Sequence, residues 1–100
     1  MATLEEITEG LRQRVGDDSG LDATLKFDFK DDGIVYVDGA SVPNTVSNED
    51  KDADCTITIS KDNFEALAKG DLDPTTAFMM GKLKISGSMG IAMRLQKIFG

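Results

Sequence analysis

Asp54-Cys-Thr-Ile-Thr-Ile-Ser60, then Phe64-Glu-Ala-Leu-Ala-Lys-Gly70, then Asp73-Pro-Thr-Thr-Ala-Phe-Met-Met-Gly81, then Lys82-Leu-Lys-Ile-Ser-Gly87 and Met89-Gly-Ile-Ala-Met-Arg-Leu-Gln96 are five blocks whose order carries the fold. In the first, Ala53, Cys55, Ile57 and Ile59 alternate with Thr56, Thr58 and Ser60. That is the period of a half-buried strand. Asp62 with Glu65 predicts a cap for a short helix ending near Gly70. Asp73-Pro74 predicts a second helix, because aspartate caps and proline is tolerated at the first helical position. Gly81 closes it, residues 82–86 read as a last strand, and Ser88 caps a C-terminal helix.

Working towards the N-terminus, the polar stretch 47–54 reads as a surface loop. A weaker strand is expected around residues 42–47, at a sheet edge because of Pro43. Asp38-Gly39 and Asp32-Gly33 are turn signals on either side of a strand over residues 34–37. Ala23, Leu25, Phe27 and Phe29 alternate with Thr24, Lys26, Asp28 and Lys30, a second half-buried antiparallel strand. The first helix is expected to start at Thr3 through a Thr3/Glu6 capping box. Leu4, Ile7, Leu11 and Val15 then recur at helical spacing, and Gly16 ends it. Two strands with clean alternation mean a sheet that hides mainly one face, so the helices pack on that side alone. The fold class expected is α+β, a sandwich of one sheet and one helical layer.

One hundred residues make a single domain spanning 1–100, with enough surface to bury one core. The lone Cys55 forms no internal disulfide, and without histidine a Cys/His metal site is out of reach. The opening Met-Ala-Thr-Leu-Glu-Glu lacks the basic and then apolar run of a signal peptide. No window approaches the roughly 20 apolar residues of a spanning helix. The expectation is a soluble, cytoplasmic protein.

The net charge of −7 argues against nucleic acid as a partner. Its distribution is uneven. Residues 1–73 hold all 18 carboxylates against seven basic groups, whereas residues 74–100 hold Lys82, Lys84, Arg94 and Lys97 and no carboxylate. That segment reads either as an accident of a short stretch or as a face that meets phosphate on a lipid headgroup, a membrane or a CoA moiety.

Catalytic chemistry finds little footing. Without histidine there is no Ser-His-Asp or Cys-His arrangement. Cys55 faces inward from a strand and reads as a buried, inert thiol. Asp50, Asp52 and Asp54 imitate the start of a calcium loop, but Cys55 replaces the required glycine and Lys61 the twelfth-position glutamate. Around Gly81-Lys82, the upstream glycine of a phosphate loop is Thr76 and no Ser/Thr follows the lysine. The expectation is no enzyme, no cofactor and no metal.

The five blocks, in this order and spacing, resemble the sterol carrier protein 2 (SCP-2) family, closely over residues 53–96 and more weakly in the N-terminal half. The resemblance implies an SCP2-like sandwich with a five-stranded, mostly antiparallel sheet, one face covered by helices. It also implies an apolar tunnel for fatty acids, fatty acyl-CoA, phospholipids or sterol-like molecules, with possible transient membrane contact.

Four of the five methionines, Met79, Met80, Met89 and Met93, fall in this segment, and methionine suits a cavity that adapts to its guest. On a helical wheel Ile91, Ala92, Leu95, Ile98 and Phe99 share one side, extended by Met89 and Met93, leaving Gly90, Arg94 and Lys97 as a narrow polar wedge. Such a helix is covered by the core, or by a ligand, membrane or second subunit. The residue pool for the tunnel is Phe78, Met79, Met80, Leu83, Ile85, Met89, Ile91, Met93 and Leu95, each of which also reads as ordinary core. Gln96, Arg94 and Lys97 are the candidate headgroup contacts, with Gln96 equally suited to a backbone bond at the helix end.

Burying about 15 methylenes at about 0.8 kcal/mol each gives roughly 12 kcal/mol before ordering costs, which leaves room for micromolar affinity. The first helix is acidic, with Glu5, Glu6 and Glu9, and short of the basic residues that promote membrane docking in some relatives. The alternative function is an interaction or dimerisation module that serves a lipid-metabolising enzyme through the apolar C-terminal helix.

Overall fold

The computed structural model describes residues 3–95 and Ile98. Helix α1 (Leu4–Val15) opens on the expected capping box, with Thr3 Oγ1 accepting from the Glu6 amide and Glu6 Oε1 from the Thr3 amide, both at 3.1 Å. Strands β1 (Thr24–Asp28), β2 (Ile34–Asp38), β3 (Thr45–Ser47) and β4 (Cys55–Ile59) follow. Helices α2 (Lys61–Lys69) and α3 (Pro74–Met79), strand β5 (Leu83–Gly87) and helix α4 (Met89–Met93) complete the described chain.

The five strands lie in the order β3-β2-β1-β4-β5. All neighbours are antiparallel except β1 and β4, which run parallel at the centre. The register sorts the side chains into two faces. One row reads Val46, Val37, Leu25, Cys55, Gly87 and the next Val35, Phe27, Ile57, Ile85. The side chains in these rows are buried or half-buried, and the residues between them (Thr24, Lys26, Thr56, Thr58, Lys84) form a polar face. A sheet patterned this way needs a helical cover on one side only.

The cover comes in three parts. Ile7, Leu11 and Val15 of α1 join the core, and Arg12 donates from Nε and Nη2 to the Val46 carbonyl at 3.2 and 3.0 Å, pinning the helix to β3. Phe64 of α2 meets Phe27 and Phe29 edge-on, each at 5.2 Å between centroids, a favourable quadrupole arrangement. α3 and α4 cover the opposite margin, over β5.

Three local expectations need correction. Helix α2 is capped by Ser60, whose side chain accepts from the Asn63 amide at 3.2 Å, and not by Asp62. β4 runs into α2 through that one residue, leaving no room for a later start. The β1–β2 connection is not a tight turn at Asp32-Gly33 but the five residues 29–33, including a 3-10 turn over Lys30–Asp32. β3 begins at Thr45, so Val42 and Pro43 stay outside the ladder.

Candidate functional site

β5 is an edge strand, and its inward side chains Leu83 and Ile85 form the floor of a groove between α3 and α4. Both helices start where the sequence places them. Asp73 Oδ2 accepts from the Thr76 amide at 3.1 Å, with Pro74 in the first turn, and Ser88 Oγ accepts from the Ile91 amide at 3.4 Å. The turn from β5 into α4 depends on Gly87, at φ +99°. A Cβ there would stand 2.5 Å from the Asp54 carbonyl oxygen. With glycine, the chain passes close enough for the Ser88 amide to donate to that carbonyl at 3.1 Å.

The groove encloses about 190 Å3. Pro74, Thr75 and Phe78 of α3 form one wall, Met89, Ala92 and Met93 of α4 the other, with Leu83, Ile85 and Leu95 between them. Among the described residues no charged side chain lines it, so its lining suits an apolar guest. No group of three or more His, Cys, Asp or Glu among the described residues is placed to hold a metal. Cys55, paired with Gly87 across the ladder, is fully buried, and desolvation raises its thiol pKa above the ordinary value. Among the described residues, no helix is long and apolar enough to cross a membrane.

Of the nine residues in the sequence-derived pool, the groove brings together Phe78, Leu83, Ile85, Met89, Met93 and Leu95. Ile91 packs half-buried against the core instead. Met79 and Met80 lie outside the groove, 80% and 61% exposed. Pro74, Thr75 and Ala92 were absent from the pool. Helical spacing carried a signal for two of them, since Thr75 lies three residues before Phe78 and Ala92 three after Met89. Arg94 donates from Nη1 to the Leu21 carbonyl at 2.9 Å, tying the end of α4 to the segment before β1. Gln96, Lys97 and Phe99 lie outside the described residues. Ile98 is buried, so it supports the core and presents no docking face.

A model of the SCP-2 sterol transfer family matches residues 3–100. Sterol carrier protein 2 of Homo sapiens is 51% identical over 55 residues, 55% of this chain and 10% of that protein. Hydroxysteroid dehydrogenase-like protein 2 of Xenopus laevis is 37% identical over 97 residues, 93% of this chain and 20% of that protein. The chain therefore spans between a tenth and a fifth of the length of these curated relatives. Among solved structures, the apo form of sterol carrier protein 2 from Yarrowia lipolytica superposes with a TM-score of 0.74 over 94% of this chain and 90% of that one. The two are 24% identical, so this likeness bears on the fold.

Proposed function

Because the chain belongs to the SCP-2 sterol transfer family, we propose that it is a non-enzymatic carrier of lipids working in the cytoplasm. Its cargo is a fatty acid, fatty acyl-CoA, phospholipid or sterol-like molecule whose apolar part lies between α3 and α4. The observation that carries this reading is the groove itself, apolar on both walls and floor and open at the sheet margin. Its 190 Å3 exceeds the roughly 150 Å3 of an apolar cavity known to take up benzene. It falls short of the roughly 300–1,000 Å3 of sites that enclose larger ligands. A stretch of acyl chain fits as the groove stands, and a longer or wider guest requires the lips to part. Met89 and Met93 suit that movement, because an unbranched thioether reorients at little cost. Uptake and delivery then need no change in the sheet, with transient membrane contact at the groove mouth.

Native mass spectrometry of gently purified protein, followed by extraction of any bound molecule, tests this. A discrete excess of a few hundred daltons, or one that appears with palmitate or its CoA ester, is the expected result. A bare mass under all these conditions overturns it.

One observation favours a second reading. Met79 and Met80, outside the groove, are 80% and 61% exposed, and Met93 on its wall is 75% exposed. Such a patch suits a module that docks on a lipid-metabolising enzyme or on its own copy. Sedimentation that becomes monomeric when Met79 and Met80 are changed to serine supports docking on its own copy, and concentration-independent monomers reject that form of the reading.

A further inference from the structure

Among the described residues, the cations of the carboxylate-free C-terminal segment do not gather at the groove. Arg94 is committed to the Leu21 carbonyl. Lys82 and Lys84 instead line a separate cleft of about 330 Å3 at the end of the sheet, where Lys30 joins them from the β1–β2 connection. Thr58, Ser60 and Asn63 complete its polar lining. All three lysines are exposed and form no ion pair with any described residue.

Two of the carboxylates near the cleft in chain and register have contacts of their own. Asp28 Oδ1 accepts from the Lys30 backbone amide at 2.8 Å, and Asp32 faces Lys61 at 3.9 Å. The cleft is also held in shape. Asn63 Nδ2 donates to the Lys82 carbonyl at 3.3 Å, joining the start of α2 to the start of β5. Lys30 sits at φ +60°, a conformation that residues with a side chain seldom adopt. The amino-terminal end of α2, a nine-residue helix, adds positive potential of the same sign.

We propose that this cleft binds a phosphate group. Three ammonium groups with hydroxyl donors at Thr58 and Ser60 match a tetrahedral, doubly charged oxyanion better than a singly charged carboxylate. Leu83 lines both this cleft and the apolar groove, so the two adjoin at the start of β5. The phosphate thus belongs either to a free phosphate compound or to the headgroup of a lipid whose tail lies in the groove. The second source rests on the carrier reading above.

The test uses wild type and the triple variant K30Q/K82Q/K84Q, with circular dichroism confirming that both fold. Inorganic pyrophosphate is titrated in low salt and followed by amide NMR. Saturable shifts at Lys30, Ser60 and residues 81–84, lost in the variant and suppressed by added salt, are expected. No shifts there, or shifts that persist in the variant, overturn the proposal. Oleate and oleoyl lysophosphatidate then identify the source. If lysophosphatidate binds roughly tenfold or more tightly than oleate, and the variant removes that advantage, the phosphate is a headgroup. Pyrophosphate binding with equal affinities for the two lipids supports the cleft as a site for a free phosphate compound. Failure of both lipids to bind counts against the carrier reading, while the pyrophosphate result still decides the cleft.

Discussion

Changing Gly87 to alanine strikes the point where the groove is joined to the sheet. The new methyl carbon would lie 2.5 Å from the Asp54 carbonyl oxygen and 3.3 Å from the Cys55 Cα. Both are backbone atoms of the neighbouring strand segment, so no side chain can swing aside. The residue also sits at φ +99°, where any Cβ is strained. Each effect alone costs about 1–3 kcal/mol, and since one shift of β5 relieves both, a net loss of about 2–4 kcal/mol is expected. For a chain of this size, each kcal/mol corresponds to about 4–8 °C in melting temperature.

The chain has no tryptophan, so unfolding is best followed by circular dichroism in urea and on heating. The reference is Gly10→Ala. Gly10 lies inside α1, and a Cβ there would meet nothing within 4 Å, so alanine should stabilise by about 0.5–1 kcal/mol through helix propensity. Opposite signs at the two glycines are the prediction. A Gly87→Ala protein as stable as wild type would refute the claim that this close passage holds β5 and α4 in place. In the surviving folded fraction, fatty acid binding should also weaken, because Ile85 and Met89 flank the displaced residue.

Replacing Ile85 with asparagine puts an amide on the groove floor and should weaken fatty acid binding roughly tenfold or more, since the guest leaves that amide without water; unchanged affinity in a fluorescent fatty acid assay would place the ligand elsewhere. Thr8→Val removes the Oγ1 that donates to the Leu4 carbonyl at 2.7 Å and accepts from Asn48 at 3.0 Å. The expected loss is about 1 kcal/mol in urea unfolding, and no loss would make the Asn48 bond to the Ile34 carbonyl sufficient alone. Cys55, with its thiol pKa raised by burial, favours the folded state while protonated. That contribution is complete below the unfolded thiol value of about 8.5 and is lost as pH rises through the higher folded value. Alkaline destabilisation should therefore be shallower in Cys55→Ala, and equal slopes in the two proteins would reject this assignment.

Local physics settled what the sequence alone could settle. Caps at Thr3, Asp73 and Ser88 are three-residue devices, and strand alternation is a two-residue one, so each is complete within a few positions of the chain. The same alternation placed Leu25, Phe27, Cys55, Ile57 and Ile59 on the buried face. Spacing and strand parity alone left the groove residues reading as ordinary core, and it was the resemblance to the SCP-2 family that brought six of them into view as a lining. Only the tertiary structure decided the rest. Met79 and Met80 have the chemistry of groove residues, but α3 ends at Met79 and leaves both in solvent. The parallel pairing of β1 with β4 spans about thirty residues, beyond any periodic signal. The meeting of Lys30 with Lys82 and Lys84 depends on that pairing and on β5 adding beyond β4. Charges some fifty residues apart leave no pattern in sequence, because what joins them is the order of strands in the sheet.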